Sequence, residues 1–334
     1  MKHLLRQALL AGGILAAATA AAQSGQMHVH AKDGTVHHFD ISNVDSVTFN
    51  AAKEAPNPLN LKVDKVGQLY ALYSTAPEAS ACPYNIMHLA ASDYALYASD
   101  DDVVADDVKY YTELAEGYGM TLAEVLEYFL YTEATSEICI PILPDTEYVL
   151  WGYGMDSEGK TTTPFYKTTF RTAAVEKKEG KIAITPGTDD SGNLTVTFTP
   201  DDDSRAYVSG FLTSDMTAEE AEKAINKSTS SQLYDYYWGK YELDAAIEKI
   251  SSKGVTTSTL QNVTAGKSYY AVAAYVSAGG AIESTVCKLT VGLDTTAAST
   301  TAAAKGTPAF IPAKKSSLPL ASKPALSRAA KAGR

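Results

Sequence analysis

The sequence is poor in the residues on which catalysis usually draws. Its 334 residues include three cysteines, six histidines and two tryptophans. It contains no H-E-x-x-H, no G-x-S-x-G and no glycine-rich phosphate loop, so zincin, α/β-hydrolase and P-loop chemistry have no motif to rest on. His3 lies in the leading apolar segment, and His28, His30, His37 and His38 cluster soon after it. His88 is then the one imidazole of the main body, and a histidine triad would have to use it or reach across modules. Cys82, Cys139 and Cys287 lack the spacing of a zinc site. Beyond residue 22 no apolar run is long enough to cross a bilayer. Carboxylates are plentiful, so composition leaves only carboxylate-pair chemistry open. We expect no enzyme and no cofactor.

Basic charge is scarce except at the ends. Residues 23–304 hold 19 Lys and Arg against 39 Asp and Glu, whereas no acidic residue follows Asp294. A body this acidic repels nucleic acid. The first 22 residues read as a signal peptide: Lys2 and Arg6 precede an apolar run that ends in Ala20, Ala21 and Ala22. A retained anchor is the alternative. Cleavage would leave an exported protein without a membrane span, periplasmic or secreted to the cell surface. Residues 294–334, Ala/Thr/Ser-rich and then Pro/Lys-rich, read as a disordered basic tail.

What is present is mainly strand patterning. Residues 23–50 form a small module in which Met27–Ala31 and Thr35–Phe39 flank Asp33-Gly34, a hairpin signal, with a third strand expected at Ser46–Phe49. Residues 51–58, with Pro56 and Pro58, read as a linker. Two repeats follow, 59–172 and 180–293, joined by residues 173–179. Each opens with strands and then gives way to helical spacing, at about 100–133 and 216–252. Thr121-Leu-Ala-Glu124 and Thr217-Ala-Glu-Glu220 are capping boxes within these inserts. In the first insert we expect helices over Asp106–Tyr118 and Leu122–Tyr131. In the second we expect one from Thr217 to about Ile225 and another from about Ser231 to Ile250. Strands then resume in both copies.

Two resemblances follow from particular residues. The stretch K-D-G-T-V-H-H-F-D-I-S-N-V-D-S-V-T-F resembles a short N-terminal module of many exported Bacteroidota proteins. Ile142-Leu-Pro144-Asp-Thr-Glu-Tyr148 is similar to the L-x-P-G-T-x-Y stretch of fibronectin type III domains, and Val263-Thr-Ala-Gly266-Lys-Ser-Tyr269 matches it more loosely, with Ala265 in place of proline. The resemblance implies two immunoglobulin/fibronectin III-like β-sandwiches in tandem, and the helical spacing adds to each a two-helix insert after its third strand. It implies structural tyrosine corners at Tyr148 and Tyr269. The inserts lie outside it.

Candidate sites are few. A two-residue Asp33-Gly34 turn would set His30 opposite His37 and on the face of His28, a trio that could hold zinc or copper, or simply be a polar hairpin face. Cys82 and Cys139 fall in one repeat and are a candidate disulfide, or else buried thiols. Asp100-Asp-Asp102 and Asp201-Asp-Asp203 could bind calcium or be solvated loops. Thr295 stands in a D-T-T triplet resembling a Bacteroidota O-glycosylation acceptor. The second insert carries Tyr234, Tyr236, Tyr237, Trp238 and Tyr241, aromatics suited to a sugar or protein surface, or to clamping the insert onto its sandwich. The expected function is binding or adhesion toward a glycan or protein at the cell envelope. The alternatives are a structural spacer and, lower, an unrecognised hydrolase.

Overall fold

The computed structural model describes residues 25–30, 35–40, 56–260, 268–291 and 310–313. It divides into two units, 1–55 and 56–334. The signal-like segment, the strand expected at Ser46–Phe49 and Thr295 lie outside the described residues.

In the first unit β1 (Gln26–His30) pairs antiparallel with β2 (Val36–Asp40), setting His28 opposite His38, Val29 opposite His37 and His30 opposite Val36. A two-residue turn at Asp33-Gly34 would give a register one residue away, and a one-residue slip moves a side chain to the other face. The trio expected at His28, His30 and His37 is therefore corrected. His37 stands on the face of Val29, and His38 joins His28, their rings 4.5 Å apart and edge-to-face. Among the described residues no group of three or more His, Cys, Asp or Glu is placed to hold a metal ion.

The second unit is mainly β. In its first half β3 (Lys62–Val66), β4 (Ala71–Ser74) and β6 (Ser136–Cys139) form one sheet, and β5 (Tyr84–Ala90), β7 (Glu147–Gly154) and β8 (Tyr166–Arg171) form another. Its second half repeats the order. There β9 (Ile182–Thr188), β10 (Leu194–Pro200) and β12 (Thr256–Thr259) oppose β11 (Tyr207–Leu212), β13 (Tyr269–Tyr275) and β14 (Cys287–Val291). Between β5 and β6 run α1 (Ala91–Tyr94), α2 (Asp100–Tyr118) and α3 (Leu122–Phe129). Between β11 and β12 run α4 (Ala218–Trp238) and α5 (Leu243–Ile250). Both capping boxes are formed, Thr121 with Glu124 and Thr217 with Glu220.

Strand alternation explains the layers. On β7, Tyr148 and Leu150 enter the core between the sheets, whereas Val149, Trp151 and Tyr153 point the other way onto α2 and α3. On β13, Ala271 and Ala273 face the sandwich, and Val272 and Ala274 face α4 and α5. Each half thus stacks sheet, sheet and helices.

Three expectations are corrected here. The run Asn226-Lys-Ser-Thr-Ser-Ser231 is weak in helix propensity and reads as a break, yet α4 passes through it for 21 residues. Tertiary bonds compensate: Asn226 Oδ1 accepts from Ile282 N at 3.0 Å, and Ser230 Oγ donates to Leu69 O at 2.6 Å while accepting from Ile142 N at 3.0 Å. Of the two readings of Cys82 and Cys139, the disulfide gives way to the other: both are free thiols. Cys139 ends β6 in one sheet, while Cys82 leads into β5 of the other. Finally, the tail is not without structure: β15 (Phe310–Pro312) pairs antiparallel with β11.

The first insert is locked by a buried carboxylate. Asp107 of α2 is fully buried, and its Oδ2 accepts from Trp151 Nε1 at 3.0 Å, Tyr153 Oη at 2.9 Å and Asn85 Nδ2 at 3.2 Å. Tyr111, also on α2, donates to Asn85 Oδ1 at 2.8 Å. Burial, followed by the Asp107 charge, pushes the Tyr153 phenol well above its ordinary range, so it stays a donor. Asp107→Ala strands three buried donors. We expect it to cost about 3 kcal/mol or more in urea unfolding; a loss below about 1 kcal/mol would show that the network does not hold the insert.

Candidate functional site

The site is built at the C-terminal end of α4, where the second insert meets the first half. The helix closes with Gly239 N bonded to Asp235 O at 2.9 Å and Tyr241 N to Tyr236 O at 2.9 Å. Lys240 takes a left-handed φ of 58°, which turns the chain back. A Cβ on Gly239 would lie 2.9 Å from the Tyr241 ring, so the absence of a side chain lets that ring fold over the helix end. The turn leaves a shallow groove of about 410 Å³. Trp238, Tyr241, Lys240 and Glu242 line it from the second half, and Lys65 and Leu72 line it from the first.

The five aromatics of this segment have different fates. Tyr234 and Tyr236 are buried in the core that joins the two halves. Tyr237 is half-buried, and its hydroxyl donates to Ser136 O of β6 at 2.7 Å, tying α4 to the first half. Burial pushes the Tyr237 phenol up to about 12, so it remains a neutral donor at physiological pH. Trp238 and Tyr241 are exposed, at 44% and 48%. Buried neighbours orient them: Tyr234 stands 6.2 Å from Trp238 and Tyr236 5.7 Å from Tyr241, both edge-to-face. The groove therefore offers two supported aromatic surfaces among cations and a carboxylate, a set chemically suited to stacking and hydrogen bonding. Lys65, Leu72 and Glu242 were not singled out by the sequence reading. No local pattern links Lys65 and Leu72 to Trp238, because the groove forms only when the halves meet.

The remaining candidates are structural in their surroundings. Leu143 N donates to the Tyr148 hydroxyl at 2.8 Å, and the Tyr148 ring stacks on Phe170 at 5.5 Å. Tyr269 is buried at the start of β13. Asp100, Asp101 and Asp102 form the first turn of α2, where Ser99 Oγ accepts from Asp102 N and negative charge suits the helix dipole. Asp201 accepts from Tyr275 Oη at 2.7 Å and from Lys181 N at 2.9 Å. Among the described residues no helix is long and apolar enough to cross a membrane.

No family model and no curated protein matches the chain. Among solved structures it is similar to a two-domain fibronectin type III segment of chicken tenascin, at 12% identity over 71% of this chain and 100% of that one, with a TM-score of 0.21. It is also similar to the FN1–FN3 domains of chicken CNTN1, at 10% identity over 70% of this chain and 64% of that one, with a TM-score of 0.23.

His88 lies away from the groove. It is buried in β5, its ring is 6.3 Å from that of Tyr148, and among the described residues its Nε2 has no hydrogen-bond partner. Burial disfavours the imidazolium and lowers its pKa to about 4. The folded imidazole stays neutral while the unfolded one, near 6.5, protonates first. The resulting stability is fully present above about pH 6.5 and is lost as pH falls toward 4. Between pH 7 and 4 the wild type is expected to lose about 3 kcal/mol more than His88→Leu in urea titrations. Parallel pH profiles for the two proteins would refute this.

Proposed function

We propose that the chain is an exported, non-catalytic binding protein of the bacterial envelope, built from two fibronectin type III-like sandwiches over residues 59–172 and 180–293. It engages a glycan or protein through the groove at the end of α4. The strand order favours the fibronectin reading. In each half the first, second and fourth strands form one sheet and the third, fifth and sixth the other. This is the immunoglobulin-type order with helices where an edge strand would run. The N-terminal module and the apolar start of the chain favour export.

One observation carries the binding reading: Trp238 and Tyr241 are both exposed in the lining of one groove, each against a buried tyrosine, together with Lys65, Lys240 and Glu242. Large aromatics are costly to leave in water and dominate recognition where they are found. A spacer role has a specific observation behind it as well. The core around α4 includes Leu69, Tyr70, Ile138 and Ile140 of the first half, so the two halves share an apolar cluster, as a spacer whose parts hold together would need.

Glycan arrays and envelope pull-downs with the protein lacking residues 1–22 test the binding reading. Trp238→Ala and Tyr241→Ala should each weaken the captured ligand tenfold or more, about 1.4 kcal/mol, without changing the unfolding midpoint. Arrays and pull-downs that both stay blank would leave the spacer reading in place.

A further inference from the structure

We propose that the outer edge of β11 is a strand-acceptor site, that Phe310–Pro312 is its resident occupant, and that the same segment of a second copy of this chain can replace it. In each half the chain leaves the sheet after the third strand to form helices. Those helices pack on a face of the sheet. In the second half the vacated edge is filled from far along the chain: Gly210 faces Pro312, Phe211 faces Ile311 and Leu212 faces Phe310.

The pairing carries recognition information. Ala313 N donates to Ser209 O at 2.8 Å. Antiparallel pairs alternate between bonded and non-bonded positions. Ile311 therefore falls at a bonded position and Pro312 at a non-bonded one, where its missing N–H faces away from β11. The segment thus satisfies the acceptor edge and presents an outer edge short of one donor, which blocks further strand addition. Phe310 supplies the anchor. It is 4% exposed and belongs to the same apolar core as Leu212, Val272 and α4.

Chain geometry does not restrict the occupant to its own molecule. Val291 is opposite Tyr269, and Phe310 reaches the level of Tyr270 through Leu212, so the two ends lie at the same end of the sheet. They stand three strand spacings apart, about 14 Å. The 18 residues between Val291 and Phe310 can span about 60 Å when extended. That is several times the distance needed, and enough to reach the same edge of a neighbour. Lys314, Lys315 and four further basic residues follow the segment, and they suit an approach to the acidic body of either copy.

The probe is a labelled peptide of residues 306–316, offered to the full chain and to its Phe310→Asp variant. The variant, its edge vacated, should bind the peptide at least tenfold more tightly than the wild type, and a peptide carrying Asp at position 310 should bind neither. Light scattering should show the wild type forming dimers as concentration rises while the variant stays monomeric. Phe310→Ala, which removes the anchor without adding charge, repeats both measurements if the Asp variant unfolds. A folded variant that ignores the peptide would overturn the acceptor site. Peptide binding combined with a wild type that is monomeric at every concentration would overturn exchange between copies.

Discussion

A central strand with two apolar faces has to be covered twice, and the architecture follows from that constraint. On β7, residues 148–154 are all buried, because Tyr148 and Leu150 are matched by the opposite sheet and Val149, Trp151 and Tyr153 by helices. A two-layer sandwich would leave one of these sets in water, at about 25 cal/mol for each Å² of apolar surface. The helices are therefore a third layer of the core. Because Trp151 and Tyr153 bring an N–H and an O–H to that interface, it also needs an acceptor. Asp107 meets the need with one oxygen shared among three donors.

The second half meets the same constraint with a difference that creates the candidate site. Its helices cover Val272 and Ala274 on one side and also contact Leu69, Tyr70, Ile138 and Ile140 of the first half on the other. A helix used on both sides needs small or polar residues where backbone of the first half approaches. Ser230 is that residue, bridging Leu69 O and Ile142 N with a fully buried hydroxyl. Continuing along α4, the contact ends at Tyr237, which still reaches Ser136 O. One residue later Trp238 is exposed and lines the groove with Lys65 and Leu72 of the first half. The groove is thus the place where the shared interface runs out.

How much of this was legible in the sequence depends on the range of the interactions. Capping boxes at Thr121 and Thr217 are local, and they marked helix starts that the structure contains. The Tyr148 motif is local too: its hydroxyl bonds Leu143 N, five residues away. The features that were misread are non-local. Asn226 and Ser230 look like helix breakers until partners at Ile282, Leu69 and Ile142 are supplied. The division of the aromatic run into buried Tyr234 and Tyr236 and exposed Trp238 and Tyr241 depends on the first half being present. Phe-Ile-Pro in a low-complexity tail carries too few residues for any periodicity, and it is defined as a strand by β11 alone.

The two halves also differ at one edge, and the difference bears on how such a repeat can acquire partners. In both, the chain returning from the insert pairs with the first residue of the third strand, Tyr131 against Tyr84 and Ser252 against Tyr207. Helices thus replace an edge strand as a cover for the sheet face, and among the described residues no strand of the insert pairs along that edge. An exposed row of donors and acceptors invites pairing with another chain. In the second half Phe310–Pro312 pairs with this row, and its proline leaves the new border unfavourable for a further strand. An insert that completes the core on one face therefore creates a requirement at the edge. A short segment with an aromatic anchor and a well-placed proline is a physically sufficient answer to it.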